Sequence, residues 1–132
     1  MMPNNELLKT LTVLYVEDDL LLKETLGRVL KRRFATVYEA KDGNEGFEIY
    51  KAHKDDIDIV ITDVEMTGMS GLALIDKILE INEFQQIIIT TGYNDKHHMS
   101  DKVCQNIKKP IHIDQLLESI LFCVGKTGGN SN

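Results

Sequence analysis

Two hydrophobic rhythms alternate along the chain. Residues 11–16 (LTVLYV), 57–62 (IDIVIT) and 86–90 (QIIIT) are short apolar runs with little polar interruption. Such continuity predicts strands covered on both faces, as in parallel sheets. Between the runs the apolar spacing turns helical. Leu22, Leu26, Val29 and Leu30 share one stripe, Leu72, Leu74, Ile75, Ile78 and Leu79 a second, and Leu116, Leu117, Ile120, Leu121 and Val124 a third. Asp19 and Ser70 stand where N-caps are needed. Arg32 and Arg33 suit the C-terminal dipole of the first helix, although Gly27 weakens it. Weaker signals predict strands over 37–40 and 104–108 and a helix over 45–53 after the Lys41-Asp42-Gly43 turn. A short helix is expected over 95–102, and a last one begins near Asp114.

Five strands alternating with helices predict an α/β fold, a parallel sheet with helices on both faces and right-handed crossovers. Only the ends look irregular. Residues 1–6 are polar, and 125–132 (GKTGGNSN) read as a flexible tail or linker, leaving 1–124 as one domain. Gly125-Lys-Thr is not a phosphate-binding loop, because Ile120 stands where that motif needs a second Gly.

Composition narrows the function classes. With 15 Lys+Arg against 21 Asp+Glu the formal charge is −6, which argues against a nucleic-acid grip. No run reaches the ~18 apolar residues of a membrane span, so no membrane partner is expected. Met1 to Glu6 lacks the pattern of a signal peptide, and a cytoplasmic location is the default. Cys104 and Cys123 have neither CxxC nor Cys/His spacing and read as buried thiols in a reducing compartment.

In such sheets the functional site lies beyond the carboxyl ends of the strands. Glu17, Asp18 and Asp19 follow the first strand. Asp63 ends the third, with Glu65 two places on. Thr91 follows the fourth, and Lys109, before Pro110, follows the fifth. Clustered carboxylates repel one another unless a cation joins them. Mg²⁺ is the natural choice, held by one or two carboxylates, waters and a phosphate oxygen. A carboxylate can also attack phosphorus to give an acyl phosphate, with an ammonium and a hydroxyl neutralising the phosphoryl oxygens. Asp63 is the best-placed nucleophile. The histidines add nothing: His97 and His98 point apart on a helix and read as solvated, while His53 and His112 lack partners at ligand spacing. Met66, Met69 and Met99 read as loop or core filler.

Together, Leu14-Tyr-Val-Glu-Asp-Asp19, Ile61-Thr-Asp63, Gly68-Met-Ser-Gly71, Thr91-Gly92 and Lys109-Pro110 resemble the motifs of bacterial two-component response-regulator receiver domains. The resemblance extends over residues ~8–124. It implies a flavodoxin-like sheet of order 2-1-3-4-5 with five helices. It further implies that Asp63 accepts a phosphoryl group from a sensor histidine kinase or a histidine phosphotransfer protein. Glu17 and Asp18 would hold Mg²⁺ with Asp63 and the backbone carbonyl of Glu65. Thr91 and Lys109 would engage the phosphoryl group, and Lys109-Pro110 would be cis. The implied protein is not a turnover enzyme. It controls an output partner or domain, as a monomer or as a weak dimer formed on phosphorylation.

Four departures from the family pattern concern output. Thr67 replaces the usual Pro, Gly92 the usual small Ala, and Asn106 the usual aromatic switch, for which Tyr93 is the nearest substitute. The stretch from Thr91 to Lys109 is also about four residues short, roughly one turn at ~3.6 residues per turn, so the fourth helix should be shortened. Two rival classes remain. A phosphohydrolase of the haloacid dehalogenase type shares the Asp63-Val-Glu65 pattern but places it after its first strand. A degenerate receiver would act only as an interaction module, yet Asp18, Asp63, Thr91 and Lys109 are all present. Setting aside Glu17, Asp18, Asp19, Asp63 and Glu65 leaves 16 acids against 15 bases, so the surplus charge is expected in one pocket.

Overall fold

The computed structural model describes residues 5–93 and 96–129. Five strands, β1 (Thr12–Val16), β2 (Thr36–Ala40), β3 (Ile59–Asp63), β4 (Gln86–Thr91) and β5 (Gln105–Lys108), form one parallel sheet in the order β2-β1-β3-β4-β5. This is the expected flavodoxin-like order. The three apolar runs became the three central strands, and β3 is buried at every position. β2 and β5 lie at the edges and are only partly covered.

Alternation along each strand builds two cores. Val13, Tyr15, Ile59, Ile61 and Ile88 face one side, under Leu26 and Leu30 of α2 (Leu20–Arg33) and Leu116, Leu117 and Ile120 of α5 (Ile113–Gly129). Leu14, Val16, Val60, Ile87 and Ile89 face the other. There they meet Tyr50 of α3 (Gly43–His53) and Leu74, Ile75 and Ile78 of α4 (Gly71–Ile81). Each of α2, α3 and α4 begins on a side-chain cap. Asp19 accepts from the Leu22 N–H, Asp42 from Glu45 and Ser70 from Ala73. The caps fix each helix start just beyond a strand end, leaving short loops there to carry chemistry.

The described residues depart from the sequence reading at four places. A helical turn, α1 (Asn5–Leu8), precedes β1 and buries Leu8 in the first core; residues 1–4 lie outside the described part. α5 continues through Gly129, where an irregular tail was expected from Gly125; residues 130–132 lie outside the described part. In the fourth crossover a single 3-10 turn, Lys96–His98, replaces the short helix expected over 95–102. The reason lies in Asn106. Its Oδ1 accepts from the Ser100 N–H at 3.0 Å and its Nδ2 donates to the Ser100 carbonyl at 2.8 Å, so a distant side chain satisfies groups a helix would pair internally. Cys104 and Cys123 are joined in a disulfide between the start of β5 and α5, so they are not thiols and give no argument for a reducing compartment. Among the described residues, no helix is long and apolar enough to cross a membrane.

One close approach is functional in its placement. A Cβ on Gly71 would collide with the Asp63 carbonyl oxygen, at the first turn of α4. Backbone cannot yield as a side-chain tip does. Gly71→Ala is therefore expected to destabilise by about 2 kcal/mol, an overpacking cost read from the denaturant midpoint. An unchanged midpoint would contradict the packing described.

Candidate functional site

Parallel register brings the four strand ends to one rim. Val16 lies opposite both Ala40 and Thr62, Asp63 opposite Thr90, and Thr91 opposite Lys108. The next residues of β1 and β5 are Glu17 and Lys109. The Lys109 N–H donates to the Thr91 carbonyl at 2.7 Å, and the Lys109-Pro110 bond is cis, as the resemblance implied.

Glu17, Asp18 and Asp63 each present a carboxylate oxygen within 4.8 Å of the others. Glu17 is fully buried and Asp63 is 3% exposed, whereas Asp18 is exposed. Lys109 reaches into this group. Its Nζ lies 2.9 Å from Asp63 Oδ2 and 3.4 Å from Glu17 Oε1. One ammonium therefore faces two buried carboxylates, and the balance at the rim is negative. A divalent cation among the three acids would reverse that imbalance, and the all-oxygen donor set suits Mg²⁺.

Electrostatics follow from the crowding. Burial, then the charge of Asp63, pushes the Glu17 carboxyl up to about 7, against the opposing Asp19 N–H and Lys109. For Lys109, burial works downward, but the hydrogen bond to Asp63 and the charge of Glu17 outweigh it and the ammonium is raised. Tyr15 is raised as well, by burial first and by Glu17 second. The folded protein thus keeps a proton on Glu17 that the unfolded chain loses near 4.5. That stabilising contribution is full below 4.5 and is lost as pH climbs through about 7. Thermal melts without divalent cations should show stability falling across this window and levelling above it. A flat profile would count against the buried cluster.

The loop after β3 ties the rim together. The Glu65 N–H donates to Asp63 Oδ1 at 3.2 Å. The Glu65 side chain turns away from the acids: Oε2 accepts a 2.5 Å hydrogen bond from the Thr91 hydroxyl and Oε1 accepts from the Gly92 N–H at 3.1 Å. Thr67 donates to Asp18 Oδ2 from its N–H at 3.1 Å and its hydroxyl at 3.3 Å. Gly68, at φ +77°, lets the loop return towards α4.

All six expected site residues lie on this rim, but their groupings differ from the expectation of five pooled carboxylates. Glu17, Asp18 and Asp63 converge with Lys109. Asp19 caps α2, and its N–H donates to Glu17 Oε2 at 3.1 Å. The carboxylate of Glu65 belongs with Thr91. The contact of Thr67 with Asp18 has one signal in the sequence, a hydroxyl in a short loop between acids. Tyr93 is half exposed and stacks on His98 with ring centroids 4.1 Å apart, so His98 is not simply solvated. Asn106 is engaged with Ser100, so no aromatic ring swings at that position.

The sequence pattern of the response regulator receiver domain matches residues 13–121. The chain belongs to the receiver family of two-component response regulators. Among curated relatives, a cyclic di-GMP phosphodiesterase of Thermotoga maritima is 32% identical over 110 residues, 80% of this chain and 29% of that protein. The chemotaxis protein CheY of Treponema pallidum is 28% identical over 113 residues, covering 82% of this chain and 78% of CheY. The chain thus spans under a third of the first relative and most of the second. Among solved structures, the response regulator TrrA of Thermotoga maritima, in complex with Mg²⁺ and BeF, is 26% identical at a TM-score of 0.74. That match covers 86% of this receiver and 98% of TrrA.

Proposed function

We propose that this receiver takes a phosphoryl group onto Asp63 from the phosphohistidine of a sensor kinase or phosphotransfer protein and thereby controls an output partner or domain. The observation that carries the reading is the buried Asp63 carboxylate, held at 2.9 Å by the Lys109 ammonium inside a cluster with Glu17 and Asp18. In the transfer, an Asp63 oxygen bonds to phosphorus as the phosphorus–nitrogen bond breaks, and the electron pair leaves with the imidazole. Lys109 is placed to neutralise one developing phosphoryl oxygen. Thr91, once free of Glu65, is placed to donate to another. Glu17, Asp18, Asp63 and the Glu65 carbonyl would hold Mg²⁺, which supplies charge neutralisation at the phosphoryl oxygens when bound. The chain is a phosphoacceptor and not a turnover enzyme. The receiver unit is expected over 1–124, with α5 itself running on to Gly129. Acetyl phosphate with Mg²⁺, followed by intact mass, tests the reading. An adduct of ~80 Da supports it, and its absence rejects it.

Glu65 and the phosphoryl group compete for the same Thr91 hydroxyl. Glu65→Ala is therefore expected to tighten binding of BeF₃⁻ about tenfold, the net worth of two modest hydrogen bonds, and to change the acyl phosphate lifetime. Titration followed by amide spectra, and decay followed by mass, check the two effects. Equal affinity and equal lifetime in both proteins would refute the role of Glu65.

A further inference from the structure

We infer that Thr67 is a positioning residue for the cation site, setting the orientation of Asp18 and hence the affinity for Mg²⁺. The inference rests on the Mg²⁺ reading above. The three acids are not held alike. Glu17 and Asp63 are buried and face Lys109 at 3.4 and 2.9 Å, so packing and charge fix them. Asp18 is exposed, and neither packing nor Lys109 orients it. It is held by Thr67, whose N–H and hydroxyl both donate to Oδ2, at 3.1 and 3.3 Å. With Oδ2 so engaged, Oδ1 remains as the oxygen to face a cation.

The same loop fixes a second acid. The Glu65 N–H donates to Asp63 Oδ1 at 3.2 Å, so N–H groups two residues apart grip carboxylates that come from different strand ends. The spacing between Asp18 and Asp63 is therefore set by one short stretch of backbone. A cation ligand fixed by donors of this kind loses less freedom on binding, and removing such outer partners commonly weakens metal affinity about 10–100-fold. Because Asp18 is exposed, the lower end of that range applies to loss of both donors.

Mg²⁺ alone is the probe, titrated into the full chain and followed by amide chemical shifts, with melting temperature in EDTA as the control for folding. Thr67→Ser keeps both donors and should bind as wild type does. Thr67→Val keeps the shape and the N–H but loses the hydroxyl, and should bind about threefold more weakly; Thr67→Pro loses both donors and should bind about tenfold more weakly. Wild-type affinity in the Val and Pro variants would overturn the inference alone. Tighter binding would overturn it too, since Thr67 would then compete with the cation. Failure of wild type to bind Mg²⁺ would overturn both this inference and the cation reading beneath it. A weakened Ser variant with an unchanged melting temperature would also overturn the inference, because the donors would not be what matters.

Discussion

Asp63→Asn protein should take up no phosphoryl group from acetyl phosphate and Mg²⁺ under conditions that convert the wild type. The amide keeps the shape of the carboxylate and removes the nucleophilic oxygen. The hydroxyl of Thr91 is engaged with Glu65 and lies outside the group formed with Lys109, so it does not substitute. Structural collapse would not explain the loss. Asp63 is one of three acids within 4.8 Å, and its charge is the second cause, after burial, of the raised Glu17 carboxyl. Removing that charge relieves the repulsion with Glu17 and gives up the pair with Lys109, so without divalent cations the variant should melt close to the wild type. The Glu17 carboxyl should also fall back towards its ordinary range, weakening the dependence of stability on pH. Intact mass settles the chemistry: an adduct of ~80 Da on the variant, formed at the wild-type rate, would remove Asp63 from the role.

Reduction of the Cys104–Cys123 disulfide should lower stability by about 3 kcal/mol, in line with the entropy of closing a loop near 20 residues. The bridge spans 19 positions and ties the start of β5 to α5, where Cys123 is fully buried among Ile120, Leu116 and Leu117. β5 has four residues, lies at the sheet edge and, among the described residues, pairs with β4 alone. Its hold on the fold therefore depends on α5 more than that of a central strand would. Since β5 delivers Lys109, loosening it should weaken the grip on Asp63 as well. Denaturant unfolding with and without reductant measures the first effect. Equal midpoints would show that the bridge adds nothing to the packing around it.

What the sequence revealed and what it hid divide along physical lines. The sheet was legible because β1, β3 and β4 are apolar on both faces, and the chain contains few other such runs. The rim was legible because polar residues abruptly follow each run, and parallel topology has only one place to put them. The disulfide was not legible: the cysteines lie 19 positions apart, and only the packing of α5 on the sheet brings them together. The end of α5 was hidden for a local reason. Gly costs about 1 kcal/mol relative to Ala within a helix, so Gly125, Gly128 and Gly129 read as a stop. The fourth crossover failed for the opposite reason, since Asn106 reaches across six positions to claim the Ser100 backbone. The roles of Thr67 and of the Glu65 carboxylate depend on which way two loop side chains turn. Periodicity carries no information about that.

The Glu65–Thr91 pair has a consequence for signal quality. On the proposed reading, each spontaneous excursion towards the active arrangement must first undo the bonds that Glu65 makes to Thr91 and Gly92. At the tenfold effect expected for Glu65→Ala, those bonds suppress unprompted excursions by the same factor. The protein gains a lower noise floor and gives up sensitivity, because a donor must deliver correspondingly more phosphoryl flux to reach a given output. A single carboxylate two residues past the acceptor would thus set where this receiver sits between a quiet line and a responsive one.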